Sequence, residues 1–331
     1  MEDRLVQITA PKDKVSDLRK LAKKREAVEL QTVSALENGH RTVTLLVHAF
    51  ERQDFLDDVQ KALNKSKDWR MVILPVEAIV PEFKEPDEEK VVQKNSAVTR
   101  EELTEDIQKG AALNRNTLML TVISAIVAAV GMIQNSVPVI IGAMVIAPML
   151  GPILAVILGT SLGDLDLIKR AVLSSVIGIA LAIAVGLAIG VFAPFDVNGE
   201  GIAARANVGA DSIALALASG AAAALSVMTG ISGVLVGVMV AVALLPPAVA
   251  VGLLLGKLAL FEASGAVLML CVNIAAVTLA GQVAFLLQGV RPRTFYRMKT
   301  ARQSVTMSLL VWTIALLVLG GLIFFRKTLG G

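Results

Sequence analysis

The sequence predicts a polytopic α-helical membrane protein. Its transmembrane domain reads as a 3+3 inverted repeat plus one extra C-terminal span, preceded by a soluble α+β ferredoxin-like domain. Three observations predict this. From about residue 116 charge nearly vanishes and apolar runs of roughly 20 residues follow one another, the length that crosses a ~30 Å hydrocarbon core. The proline-bearing segment Ile140 to Pro152 has a counterpart 95 residues later at Leu235 to Pro247. The first 80 residues instead carry the alternating and helical patterns of a small β-α-β-β-α-β unit.

Composition agrees with this class. The chain is 55% hydrophobic with a mean hydropathy of +0.70, high for a soluble protein. A net charge of +3 is too small to argue for nucleic acid, and the basic residues read as topology signals. The single cysteine, Cys271, excludes an internal disulfide framework. Met1-Glu2-Asp3-Arg4 leads into an amphipathic domain rather than an apolar signal core.

Residues 1–80 form the first expected domain. Arg4 to Thr9 alternates as a strand, and Pro11 opens a helix with Val15, Leu18 and Leu21 on one face. Strands are expected from Val28 to Leu36 and from Thr42 to Val47, joined across Asn38-Gly39, where both turn residues must accept positive φ. Phe55, Leu56, Val59 and Leu63 mark a second helix, and Arg70 to Val80 a last strand. His40 and His48 lie here without further ligands at metal-binding spacing. A regulatory or oligomerisation role fits such a domain, although fold alone does not establish one.

Residues 81–115 are a linker and an amphipathic helix. Proline and charge fill 81–98, and Thr99-Arg100-Glu101-Glu102 reads as a capping box before Leu103, Ile107 and Leu113.

Residues 116–325 hold seven expected spans: 116–134, 138–160, 165–193, 211–229, 233–256, 261–289 and 303–325. Repeat 1 covers 116–193, repeat 2 covers 211–289, and 303–325 is the extra span. A shift of 95 aligns the first three spans on the next three without a gap. It pairs Leu120 with Leu215, Ser124 with Ser219, Gly142 with Gly237, Met144 with Met239, Pro152 with Pro247 and Gly186 with Gly281. Three spans is an odd number, so the two copies must cross in opposite directions, the plan of many secondary transporters. With the N-terminus cytoplasmic, Lys109, Arg115, Lys169, Arg170, Arg291, Arg293, Arg297, Lys299 and Arg302 fall inside, while Arg205, Lys257 and, on the short tail, Arg326 and Lys327 fall outside.

The prolines carry the functional reading. A proline within a helix removes one hydrogen bond and clashes with the preceding turn, costing ~3 kcal/mol or more. Lipid cannot satisfy the freed groups, so such a break survives only where protein or a water-filled cavity covers it. Free amides at a half-helix start suit an anion, and free carbonyls at a half-helix end suit a cation. Two proline-broken helices meeting near the midplane would form a solute site. The simpler alternative is a pair of packing kinks. The candidate substrate-binding residues are therefore Gly142, Pro148, Gly151 and Pro152 in the first copy and Gly237, Pro246 and Pro247 in the second. Asn273, an amide deep in the sixth span, joins them, although a helix-to-helix hydrogen bond would also account for it. So do Arg205 and Asp211 at the entry to the fourth span, where a salt bridge or a helix cap is the plainer role. Asp164 and Asp166 make a weak Asp-x-Asp, with Asp166 able to cap the third span.

No phosphate-binding glycine loop, His-Glu-x-x-His, Cys-x-x-Cys or nucleophile elbow occurs, so neither an enzymatic role nor a cofactor is expected. At Ile141-Gly142-Ala143-Met144 with Ala147 to Pro152, then Arg205, Leu244-Leu245-Pro246-Pro247 and Asn273, the chain resembles a known family. It is similar, over roughly residues 113–290, to prokaryotic hydrophobic membrane proteins catalogued as domain of unknown function 389. One departure is Val208-Gly209 after Asn207, where the family pattern leads one to expect a proline. The resemblance implies the membrane class and no particular activity.

Two functions follow as expectations. One is a transporter or channel-like carrier of the inner membrane, taking a small solute, anionic by preference, with regulation by the N-terminal domain. The other is an oligomeric membrane sensor or scaffold whose soluble domain binds a ligand or partner. Expected partners are the lipid bilayer and further copies of the chain in a homo-oligomer.

Overall fold

Alternation along β1, Arg4–Pro11, turns Val6, Ile8 and Ala10 inward, where all three are fully buried. They begin the core of the first of two compact units, Met1–Glu101 and Glu102–Gly331. The computed structural model describes residues 4–25, 27–34, 39–48, 51–64, 66, 68–76, 100–229, 233–288 and 295–330.

In the first unit β1 leads through a short 3-10 turn into α1, Val15–Lys24. There follow β2, Val28–Ser34, β3, His40–Val47, α2, Arg52–Leu63, and β4, Arg70–Pro75. The sheet order is β2-β3-β1-β4, with every neighbouring pair antiparallel. Val15, Leu18 and Ala22 of α1 and Phe55, Leu56, Val59 and Leu63 of α2 close over Val43, Leu45 and Val47 of β3. Each large side chain so buried contributes roughly 1.5–3 kcal/mol.

Arg25, just past α1, holds the helices together. Its Nε and Nη2 donate to Asp58 Oδ2 at 3.1 and 2.8 Å, and its Nη1 donates to Glu51 Oε2 at 3.0 Å. The guanidinium hydrogen bonds hold the Asp58 carboxyl below its ordinary pKa. The third strand starts two residues earlier than the sequence suggests. The expected hairpin residues 35–38, strand residues 77–80, linker 81–98, cap residue Thr99 and the inner Arg291 and Arg293 lie outside the described residues.

The second unit is helical. In α3, Arg100–Gly110, Leu103 and Ile107 are buried on one side, while Glu105 and Lys109 pair at 2.8 Å on the exposed side. Asn114 caps α4, Arg115–Ile133, by accepting from the Thr117 amide at 2.8 Å. Next come α5, Val137–Ile146, and α6, Leu150–Leu162, with a 55° bend between them. Asp164 accepts from the Leu167 amide at 2.9 Å and so caps α7, Leu165–Phe192. The cap is thus Asp164; Asp166 lies in the first turn, two positions too far along for the role the sequence offered it.

After the short α8, Glu200–Ala206, the chain forms α9, Ala210–Thr229, α10, Gly233–Gly256, α11, Leu260–Leu287, and α12, Phe295–Gly330. Among the described residues six helices are long and apolar enough to cross a bilayer, and the bent α5–α6 pair counted as one span makes seven. Apolar side chains point outward along them, as with Leu317 at 72% exposure. Such surface suits lipid. Glycines let two helix pairs approach closely: a Cβ on Gly186 of α7 would land on the Val249 carbonyl of α10, and one on Gly220 of α9 on the Val277 carbonyl of α11.

Candidate functional site at the first helix break

Proline chemistry accounts for the break between α5 and α6. Pro148 lacks the amide hydrogen that would reach the Met144 carbonyl, and Pro152 lacks the one that would reach Pro148. Ala147 turns extended at φ −67°, ψ 122°, and the Met149 amide donates back to the Ala147 carbonyl at 2.9 Å. The last carbonyls of α5 and the first amides of α6, at Leu150 and Gly151, are left without partners inside a helix.

A cavity of about 10 Å³, room for one water-sized occupant, lies against this break. Thr117 and Thr121 of α4 line it, with Pro148, Met149, Pro152 and Ile153 at the break, Ser174 and Ser175 of α7, and Leu244 of α10. Thr121 Oγ1 donates to the Thr117 carbonyl at 2.8 Å. The hydroxyls of Ser174 and Ser175 are buried with no hydrogen-bond partner, and Ser174 is only 4% exposed. An unpaired buried hydroxyl costs roughly 1–3 kcal/mol, so this arrangement favours an occupant that bonds to it.

A larger space of about 300 Å³ adjoins it, lined by Gln108, Ala111, Ala112, Leu113, Leu167, Arg170, Leu173 and Ser174. Leu113 and Ser174 line both volumes. The small cavity takes its threonines from the first two turns of α4. The break therefore lies toward the α3 end of the bundle, away from the expected middle.

The second proline motif is not a break. Helix α10 continues through Pro246 and Pro247 without interruption, which corrects the expectation of two broken helices. Pro247 cannot donate to the Ala243 carbonyl four residues earlier, and Asn273 of α11 supplies the missing donor: its Nδ2 donates to Ala243 O at 2.8 Å. A borrowed side-chain donor keeps the helix intact where plain lipid could not. Asn273 Oδ1 is buried and unpartnered. The two motifs still approach each other, since Leu244 of α10 lines the cavity at the first break and Gly237 stands opposite Leu150.

The remaining residues divide. Pro148 and Pro152 line the cavity. Gly151 meets the Gly110 backbone so closely that a Cβ would collide with the Gly110 carbonyl. Gly142 faces open space instead. Arg205 lies in the last turn of α8, donates to the Gly201 carbonyl at 3.2 Å and forms no ion pair with Asp211 among the described residues. Burial pushes the Arg205 guanidinium pKa down. Asp211 lies in the first turn of α9, where a carboxylate suits the positive helix end, and it packs over Gly209. Neither residue lines the break cavity.

Sequence reasoning missed Ser174, Ser175 and Thr121, and took Arg170 only as a topology signal. The adjacent pair Ser174-Ser175 within an apolar helix is the signal that could have found them. No group of three or more metal-ligating side chains occurs among the described residues.

A family model described as "Domain of unknown function (DUF389)" matches residues 144–279, which bears out the resemblance drawn from the proline motifs. An uncharacterized protein of Methanocaldococcus jannaschii is 28% identical over 277 residues, covering 82% of this chain and 86% of that protein. No solved structure matches the chain.

Proposed function

From a membrane domain that matches a family of unknown function, we propose that the chain is a transporter or channel-like carrier whose solute site is the α5–α6 break. One observation carries this reading: the break borders a cavity with two unpartnered buried hydroxyls, and that cavity adjoins a space of about 300 Å³. A packing kink would have no use for unpaired polar groups, which cost energy in an apolar interior.

This reading includes a 3+3 inverted repeat, supported by matching helix offsets. Helices α7 and α11 are each 28 residues long, and their starts, Leu165 and Leu260, keep the 95-residue offset. Helices α4 and α9 start with the same offset at Arg115 and Ala210. In this reading the N-terminal unit is a cytoplasmic ferredoxin-like domain, supported by its β-α-β-β-α-β order and its β2-β3-β1-β4 sheet. It regulates transport, the chain sits in the inner membrane as a homo-oligomer, and no enzymatic step or cofactor is involved.

Solute flux into proteoliposomes tests the proposal. Flux that Pro148→Ala and Ser174→Ala reduce, and that deletion of residues 1–98 leaves largely in place, supports it. Absence of flux for every solute surveyed would sink it, and loss of all function on that deletion would favour a sensor.

A further inference from the structure

We infer that the break cavity binds one small monovalent anion of halide size, held beside the first turn of α6 by the Ser174 hydroxyl. The inference rests on the carrier reading and names the class of its cargo.

Four observations point the same way. First, α6 is 13 residues long, and its opening amides at Leu150 and Gly151 have no acceptor within the helix, so this end carries partial positive charge. The cavity is lined by Pro152 and Ile153 from that first turn, by Pro148 and Met149 just before it, and by no residue of α5. Second, Ser174 is 4% exposed, its hydroxyl has no partner, and it lines the cavity. A hydroxyl that donates to an anion resolves its own unmet bond, and Ser175 offers a second.

Third, no carboxylate lines the cavity or the adjoining space, and the charged side chain lining that space is Arg170. A cation would have to pass this guanidinium with no acid to receive it, whereas an anion is drawn in. Fourth, the cavity admits one water-sized occupant and is walled by Leu118, Ile153, Ile179 and Leu244. Sulfate, phosphate and carboxylates are too large for it. A halide, which surrenders its water more readily than a divalent ion, fits.

The test uses the full chain in detergent, with thermal unfolding followed in sodium chloride, choline chloride, sodium gluconate and sodium sulfate. The inference requires a rise in Tm that tracks chloride whichever cation accompanies it and is missing with gluconate and sulfate. Losing one hydrogen bond to a charged partner should raise the apparent chloride Kd roughly tenfold in Ser174→Ala. Chloride entry into proteoliposomes, read by an entrapped halide-quenched dye, should fall in Arg170→Gln.

A Tm rise that follows sodium would overturn the anion assignment, as would identical melts in all four salts. In either case, flux of another solute that still depends on Pro148 would leave the carrier reading standing, so the two failures are separable.

Discussion

Asn273 Nδ2 donates to the Ala243 carbonyl at 2.8 Å, taking the acceptor that Pro247, four residues on, leaves without its helical donor. The pair lies near mid-length of both α10 and α11. Replacing Asn273 with Leu should lower stability by about 1–2 kcal/mol, the range for a buried hydrogen bond within apolar helices. In a Pro247→Ala background the same replacement should cost little, because a backbone N–H then reaches Ala243. Unfolding of the two single variants and the double variant measures the coupling; additive effects would contradict the pairing.

The glycines of the repeats should separate sharply. Gly186→Val drives a side chain into the Val249 carbonyl and should cost about 2 kcal/mol or more. Gly142→Val, built into open space, should remain within ~0.5 kcal/mol of the parent. Thermal melts in one detergent compare them directly.

Gly151 touches the end of α3. A Cβ there meets the Gly110 carbonyl, so Gly151→Ala should push α3 off the break and open the adjoining space. Maleimide labelling of Leu113→Cys, in a Cys271→Ala background that removes the natural thiol, should then speed up. Unchanged labelling would show that α3 does not cover the break.

The first unit should be sensitive to acid through Asp58. Its folded pKa lies below the ordinary carboxylate value, held there by Arg25. The stabilisation is therefore complete above that ordinary value, ~3.9, and is lost as pH falls through the lower folded value. Asp58→Asn should lower stability near neutral pH and flatten the acid limb. Trp69 packs against this core, so its fluorescence in a Trp312→Phe background reports the unit within the full chain.

Arg326 fastens the far end of α12. Its Nη1 donates to the Ala206 carbonyl and its Nη2 to the Phe261 carbonyl, both at 3.0 Å, and the guanidinium stacks 4.6 Å from the Phe261 ring centre. Arg326→Gln should destabilise by about 1–3 kcal/mol, read as a lower midpoint in denaturant.

Helices and their ends were legible because they follow from local residues. Apolar runs and the 95-residue offset need no knowledge of packing. The fate of the prolines was not legible. The sequence shows that Pro247 removes a donor; it does not show that Asn273, 26 positions along, supplies another. One proline pair thus opens the chain while the other leaves its helix unbroken. Ser174 was invisible for a related reason, since a serine in an apolar helix commonly returns its hydroxyl to the preceding turn, as Ser161 does with Ile157 at 3.0 Å. Only the packed neighbours reveal a hydroxyl left unpaired. Arg205 and Asp211 illustrate the reverse, being close in sequence yet unpaired in space.

The glycine contacts between α7 and α10 carry a mechanical consequence. Gly186 and Gly190 of one helix face Val249, Gly252 and Leu253 of the other, backbone against backbone. Sliding either helix by part of a turn would ram side chains into carbonyls. The two must therefore travel as one strut that ties the halves of the domain together. Any shape change in the second unit has to keep these two helices in register.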